Sequence, residues 1–276
     1  MDLIFFDLDG TLLNQASQIT PFTKQTLDLL SDRDIAYTVA TGRSMLSARQ
    51  VIKQHVFELP HIFNNGVTIW DPKEQVLTLD NLLEHSELET VLDCARREQI
   101  SPFINTIDSV NGAYAHHIFH STPQHQVEKD LINKYFAKTD ASLLPIASLN
   151  SSHHVTNISM IGDTHTIRKM WEYFNSFDSL IAYSGPAVEG KDFSWMDVHH
   201  RLANKGSAVE NLKNQLGASN IICFGDSDND LSMFALADEC YAPENAKSII
   251  KQSASAVIGH HHQDGVAHFL RERFSL

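Results

Sequence analysis

The chain has 276 residues, 42% of them hydrophobic, with only 12 Gly and 8 Pro, so it can bury one large core or two modest ones. A formal charge of −13, with no Lys/Arg cluster to override it, argues against nucleic acid and anionic membranes as partners. No apolar run approaches the ~20 residues of a membrane span, the N-terminus lacks the positive charge of a signal peptide, and Cys94, Cys223 and Cys240 are scattered without a CxxC pair. A cytoplasmic protein with reduced thiols is expected.

The first predicted strand is the apolar run Leu3-Ile4-Phe5-Phe6, followed at once by Asp7-Leu8-Asp9-Gly10-Thr11. Such a run reads as a buried strand of a parallel sheet, and ligands of those sheets gather where strands end at their carboxyl side. Two carboxylates one residue apart, then a glycine that frees the backbone and a hydroxyl, can hold a divalent metal against a phosphate while one oxygen attacks it. An Asp-Gly turn between strands is the plain alternative. The next strand, Ile35 to Ala40, breaks at Thr41-Gly42-Arg43 and passes into a helix near Ser44. The Thr41 hydroxyl and the N–H groups of a helix start can donate to phosphoryl oxygens.

Roughly 160 residues then separate Arg43 from Asn204, far more than a crossover needs. A helical pattern at Glu87 to Arg97, short strand-like runs at Pro102-Phe103-Ile104 and Asn157 to Ile161, and a second helical pattern at Thr166 to Phe174 predict an inserted α+β domain. Gly185 to Lys191 spells GxxxxGK, but Asp192 replaces the Ser/Thr of a nucleotide loop, and a connection between domains is expected there instead. Trp171 and Trp195 are expected to pack. The histidine pairs His116-His117, His153-His154 and His199-His200, and the run His260-His261-His262, predict no zinc site: neighbours on a strand point to opposite faces, and the ligand spacing of such sites is missing.

Asn204-Lys205-Gly206-Ser207 opens an amphipathic helix carrying Ala208, Val209, Leu212 and Leu216, with Gly217 as its stop. A lysine in a first helical turn opposes the local dipole unless an anion or carboxylate pairs with it. The strand Ile221 to Phe224 then ends in Gly225-Asp226-Ser227-Asp228-Asn229-Asp230. Carboxylates this dense need a cation, and the glycine and terminal glutamate of a calcium loop are missing. Asp264 to Leu270 predicts a closing helix.

Together these four segments, Asp7-Leu8-Asp9-Gly10-Thr11, Thr41-Gly42-Arg43, Lys205-Gly206 and Gly225-Asp226 through Asn229-Asp230, resemble in order the motifs of the haloacid dehalogenase (HAD) superfamily. Asn64-Asn65-Gly66 resembles the turn of its Cof-type phosphatases, which carry a type IIB cap. One departure is Ala242-Pro243-Glu244-Asn245-Ala246, where the family usually has Met-Gly-Asn-Ala. The resemblance implies an α/β fold: a doubly wound, Rossmann-like parallel-sheet core over residues 1–80 and 192–276, with the α+β cap at 81–191. It implies a Mg²⁺-dependent phosphatase of small phosphorylated metabolites, such as sugar phosphates or phosphorylated cofactor intermediates. Asp7 would be the nucleophile and Asp9 the general acid and base, a role that calls for a proton-bearing carboxyl at neutral pH. Dehalogenase members lack the second aspartate and ATPase-type members have threonine there, so Asp9 favours phosphatase or mutase chemistry. Thr41 and Lys205 would hold phosphoryl oxygens, with Arg43, Asn65 and Asn229 as further substrate-binding residues. Mg²⁺ would be held by Asp7, the carbonyl of Asp9, Asp226 and Asp230. A phosphomutase and a phosphometabolite-binding regulator without turnover are the alternatives, and a monomer or homodimer is expected.

Overall fold

Leu3, Ile4, Phe5 and Phe6 are wholly removed from solvent, as a central strand of a parallel sheet must be when both its faces are covered. The computed structural model describes residues 1–110, 113–134, 136 and 139–276, and divides them into two units, Met1–Thr78 with Asn204–Leu276, and Leu79–Ala203.

In the first unit the sheet runs, in spatial order, Ala256–Ile258, Glu239–Pro243, Asn220–Phe224, Asp2–Phe6 and Ala36–Val39, every neighbouring pair parallel. Phe6 is in register with both Phe224 and Val39. The chain therefore leaves three adjacent strands at one carboxyl edge, as Asp7, Gly225 and Ala40-Thr41. Asp2–Phe6 is flanked by strands reached in opposite directions along the chain, the switch point at which such sheets bind ligands. Short local signals set the helices. The Thr20 hydroxyl accepts the Thr23 N–H and Pro21 takes the first turn of Pro21–Ser31, and the Ser44 hydroxyl accepts the Ser47 N–H ahead of Met45–Ile52. Asn204 caps Lys205–Leu216, which stops at Gly217 with φ +65°. Ala208, Val209 and Leu212 of that helix join Leu3, Phe5, Ile221 and Cys223 in one apolar core.

The second unit is a six-stranded sheet in the order Leu180–Pro186, Phe193–His200, Val155–Asp163, Phe103–Val110, Ala113–His120 and Ser142–Pro145. Its neighbours are antiparallel except the last pair, which is parallel. Helices His85–Arg97 and Thr164–Asn175 lay Val91, Cys94, Ala95, Ile167, Met170 and Phe174 against Ile104, Phe119, Ile158, Met160, Met196 and Val198. The boundary expected at 191 falls within a hairpin: Gly185 to Lys191 joins two paired strands, and Phe193–His200, expected in the first unit, pairs with Val155–Asp163. Its alternation of buried Met196 and Val198 with Asp197 seats it in this sheet. Trp171 and Trp195 are 39% and 40% exposed, and the Trp195 ring lies against Gly185. The unit's basic side chains are dispersed, Arg96 on Asp93, Lys169 on Glu98 and Arg168 on Glu172, and Lys138 lies outside the described residues. No helix among the described residues is long and apolar enough to cross a membrane.

Candidate active site

The carboxyl edge of the first unit's sheet gathers the acidic residues singled out above. The Asp7 N–H donates to the Phe224 carbonyl at 2.9 Å, tying the end of one strand to the end of its neighbour. The Asp7 side chain is 8% exposed, and Oδ1 accepts from Lys205 Nζ at 2.5 Å. Lys205 also donates to Asp230 Oδ1 at 2.6 Å. The lysine that looked misplaced in a helix's first turn is thus held between two carboxylates and fully buried.

Asp230 has its other oxygen occupied as well, because Oδ2 accepts the N–H groups of both Asp226 and Ser227 at 2.9 Å. It ties the loop together and fixes Lys205. Among the described residues none donates such a bond to the Asp226 carboxylate, which lies against Gly10: a Cβ there would fall 2.4 Å from Asp226 Oδ2, and Gly10 has φ +74°. Both constraints call for glycine. The Asn245 amide donates to the Gly10 carbonyl at 2.7 Å, so the segment that departs from the usual family pattern still braces the loop that follows Asp7.

Thr41 is held by its N–H to the Ile62 carbonyl, and its hydroxyl oxygen accepts the Arg43 N–H at 3.1 Å, leaving the hydroxyl proton for an acceptor. Asn229 Nδ2 donates to Asn65 Oδ1 at 2.9 Å, and both amides border Gly42. Asn64, Asn65 and Gly66 all have positive φ, the tight bend that the Asn-Asn-Gly triplet permits. Arg43 grips Asp9 with two prongs, Nε to Oδ2 at 2.5 Å and Nη2 to Oδ1 at 2.6 Å. Arg43, expected among the substrate-binding residues, is here paired with Asp9. The Asp9 side chain is half exposed.

Burial pushes the Asp7 carboxyl well up, against the pull of Lys205, and burial with the charge of Asp230 pushes Asp226 up to about 7. Lys205 is raised, since the two carboxylates outweigh its burial. Carboxylate oxygens of Asp7, Asp226 and Asp230 all lie within 4.8 Å of one another. Three acid groups so close, two of them strained toward protonation, suit a hard divalent cation. With Asp230 committed to Lys205 and two N–H groups, Asp7 and Asp226 are the carboxylates left to ligate. Nearby, the buried Thr11 hydroxyl has no hydrogen-bond partner among the described residues.

A model of the haloacid dehalogenase-like hydrolases matches residues 4–270, and the chain belongs to that family. It is 29% identical to the HMP-PP phosphatase of Enterobacter sp. (strain 638), over 97% of this chain and 94% of that one. With the 5-amino-6-(5-phospho-D-ribitylamino)uracil phosphatase YitU of Bacillus subtilis (strain 168) it shares 25% identity, over 99% and 98% of the two chains. The solved structure of a haloacid dehalogenase-like hydrolase from B. subtilis superposes with a TM-score of 0.78 at 23% identity, over 98% of this chain and 99% of that one. This chain is accordingly a phosphatase-type HAD hydrolase of α/β fold.

Proposed function

We propose that the chain hydrolyses small phosphorylated metabolites, sugar phosphates or phosphorylated cofactor intermediates, through an aspartyl-phosphate on Asp7, with Mg²⁺ as cofactor. The observation that carries this reading is the buried Asp7 carboxylate, paired to Lys205 and set within 4.8 Å of the Asp226 and Asp230 oxygens at the sheet's switch point. The phosphatase names of relatives matched over nearly their whole length support the substrate class.

An Asp7 oxygen attacks phosphorus, the bond from phosphorus to the leaving oxygen breaks, and Asp9 gives that oxygen a proton. Asp9 then takes a proton from water, whose oxygen attacks the same phosphorus; the bond to Asp7 breaks, freeing phosphate. Lys205 and the hydroxyl of Thr41 hold equatorial phosphoryl oxygens, with the amides of Asn65 and Asn229 beside them. Arg43 aims Asp9. Asp7, Asp226 and the Asp9 carbonyl would hold Mg²⁺, which would neutralise charge and orient the phosphoryl group.

Phosphate release from a panel of phosphometabolites, with and without Mg²⁺, tests the reading beside Asp7→Asn. Release is expected to need Mg²⁺ and to fall at least ~10³-fold in the variant. Release that persists in Asp7→Asn, or none from any compound, would overturn it, and transfer to a second substrate hydroxyl in place of water would identify a mutase.

A further inference from the structure

A second set of ligating side chains lies in the second unit, apart from the residues of the proposed phosphatase site. Thr106 pairs directly with His117 across neighbouring strands, and Asp108, two residues along, falls on the same sheet face. The loop ahead of Val155–Asp163 brings His153 and His154 to the same carboxylate. His117 Nδ1 lies 3.0 Å and His153 Nδ1 2.9 Å from Asp108 Oδ2, which Thr106 Oγ1 also meets at 3.1 Å. The other oxygen, Oδ1, accepts the His154 N–H at 2.9 Å and has His154 Nδ1 3.4 Å away.

A carboxylate oxygen offers two lone pairs in its plane. With both rings protonated on Nδ1, three donors would meet Oδ2 and oversubscribe it. One cation in place of two ring protons removes the conflict: each imidazole then carries its proton on Nε2 and turns the Nδ1 lone pair inward, while Oδ2 keeps the Thr106 hydroxyl.

We propose that Asp108, His117 and His153 bind a divalent transition-metal ion of the zinc class, with His154 or water as fourth ligand. The three ligand atoms lie within 4.8 Å of one another, a span that bonds of ~2.0–2.1 Å to one ion can close with small side-chain shifts. Two imidazoles and one carboxylate select such an ion over Mg²⁺. The side chains are 17%, 18% and 11% exposed for His117, His153 and Asp108, open enough to admit an ion and closed enough to hold it. Thr106 and the His154 N–H orient the carboxylate from behind, the support that ligands of bound metals ordinarily have. The ion fastens two strands and a loop of one sheet, so it stabilises the folded chain by mass action.

The intact chain, stripped with chelator, is titrated with Zn²⁺ by calorimetry with excess Mg²⁺ present to compete at Asp7 and Asp226, then with Co²⁺, whose visible absorption reports nitrogen and oxygen ligation. One equivalent is expected to bind, at least ~10-fold more weakly in His117→Ala and in His153→Ala, and undiminished in His261→Ala. His261 belongs to the other histidine cluster, His260-His261-His262, so its variant tells which cluster takes the ion. Circular dichroism checks each fold, and His153→Ala carries the test should His117→Ala not fold, since His153 lies outside the strands. Absence of binding, binding as tight in both ligand variants as in the parent chain, or loss in His261→Ala would overturn the proposal, and none of these outcomes bears on phosphate release.

Discussion

Lys205 Nζ lies 2.6 Å from Asp230 Oδ1, and neither side chain exposes any surface to solvent. Since Asp7 shares the same ammonium, one positive charge serves two buried carboxylates. Removing it leaves both acids facing each other in a medium that solvates neither. Lys205→Met is expected to cost about 3–5 kcal/mol, the range for stripping one partner from a buried pair. Urea unfolding checks this. In the Lys205→Met background, Asp230→Asn should recover part of the loss, because it removes one of the stranded charges; strictly additive effects of the two changes would refute the shared-ammonium account.

The Arg43 and Asp9 pair has the opposite character. Its ion pair is two-pronged but sits where Asp9 is half exposed, so its contribution to stability is expected to stay below about 1 kcal/mol. The consequence belongs to turnover instead. Asp9→Asn should lower kcat by ~10²–10⁴-fold, the usual contribution of a general acid and base. Arg43→Lys keeps the charge and loses the fork, so a smaller fall is expected. If Arg43 acts by aiming Asp9, Arg43→Lys should cost nothing further in the Asp9→Asn background. A full additional loss in the double variant would show that Arg43 contacts substrate independently.

What the sequence reveals here follows the range of the signals. Leu3 to Phe6, the Ser44 cap and the Gly217 stop are each encoded within a few residues, and the structure has a strand, a helix start and a helix end at those places. The Arg43 grip on Asp9 joins residues 34 positions apart, and Asn245 reaches Gly10 across 235, contacts that depend on strand register and carry no local signature. Phe193–His200 follows the loop-like Gly185 to Lys191, which reads as a connection between domains, although the alternation of Met196 and Val198 with Asp197 marks a strand. The histidine pairs were weighed one pair at a time. His117 and His153 come from different pairs, and only the sheet brings them to Asp108.

Buried His199 makes a pH prediction whose sign follows from proton counting. Burial lowers its pKa from 6.5 to about 4. As pH falls through 6.5 the unfolded chain takes up this proton while the folded one does not until about 4, so the contribution to stability is full above 7, declines through that window and levels off below it. The expected drop is about 2 kcal/mol by pH 5 and about 3 by pH 4. Asp226, pushed up to about 7, acts in the reverse sense over the same range. Total stability therefore hides the effect, and the informative quantity is the difference between the parent chain and His199→Leu, in which Asp226 and every other titrating group is common to both. Urea midpoints measured from pH 4 to pH 8 should show the parent losing its advantage over the variant as acid is added. A difference that stays level across that range would mean that His199 takes up its proton in the folded chain as readily as in the unfolded one.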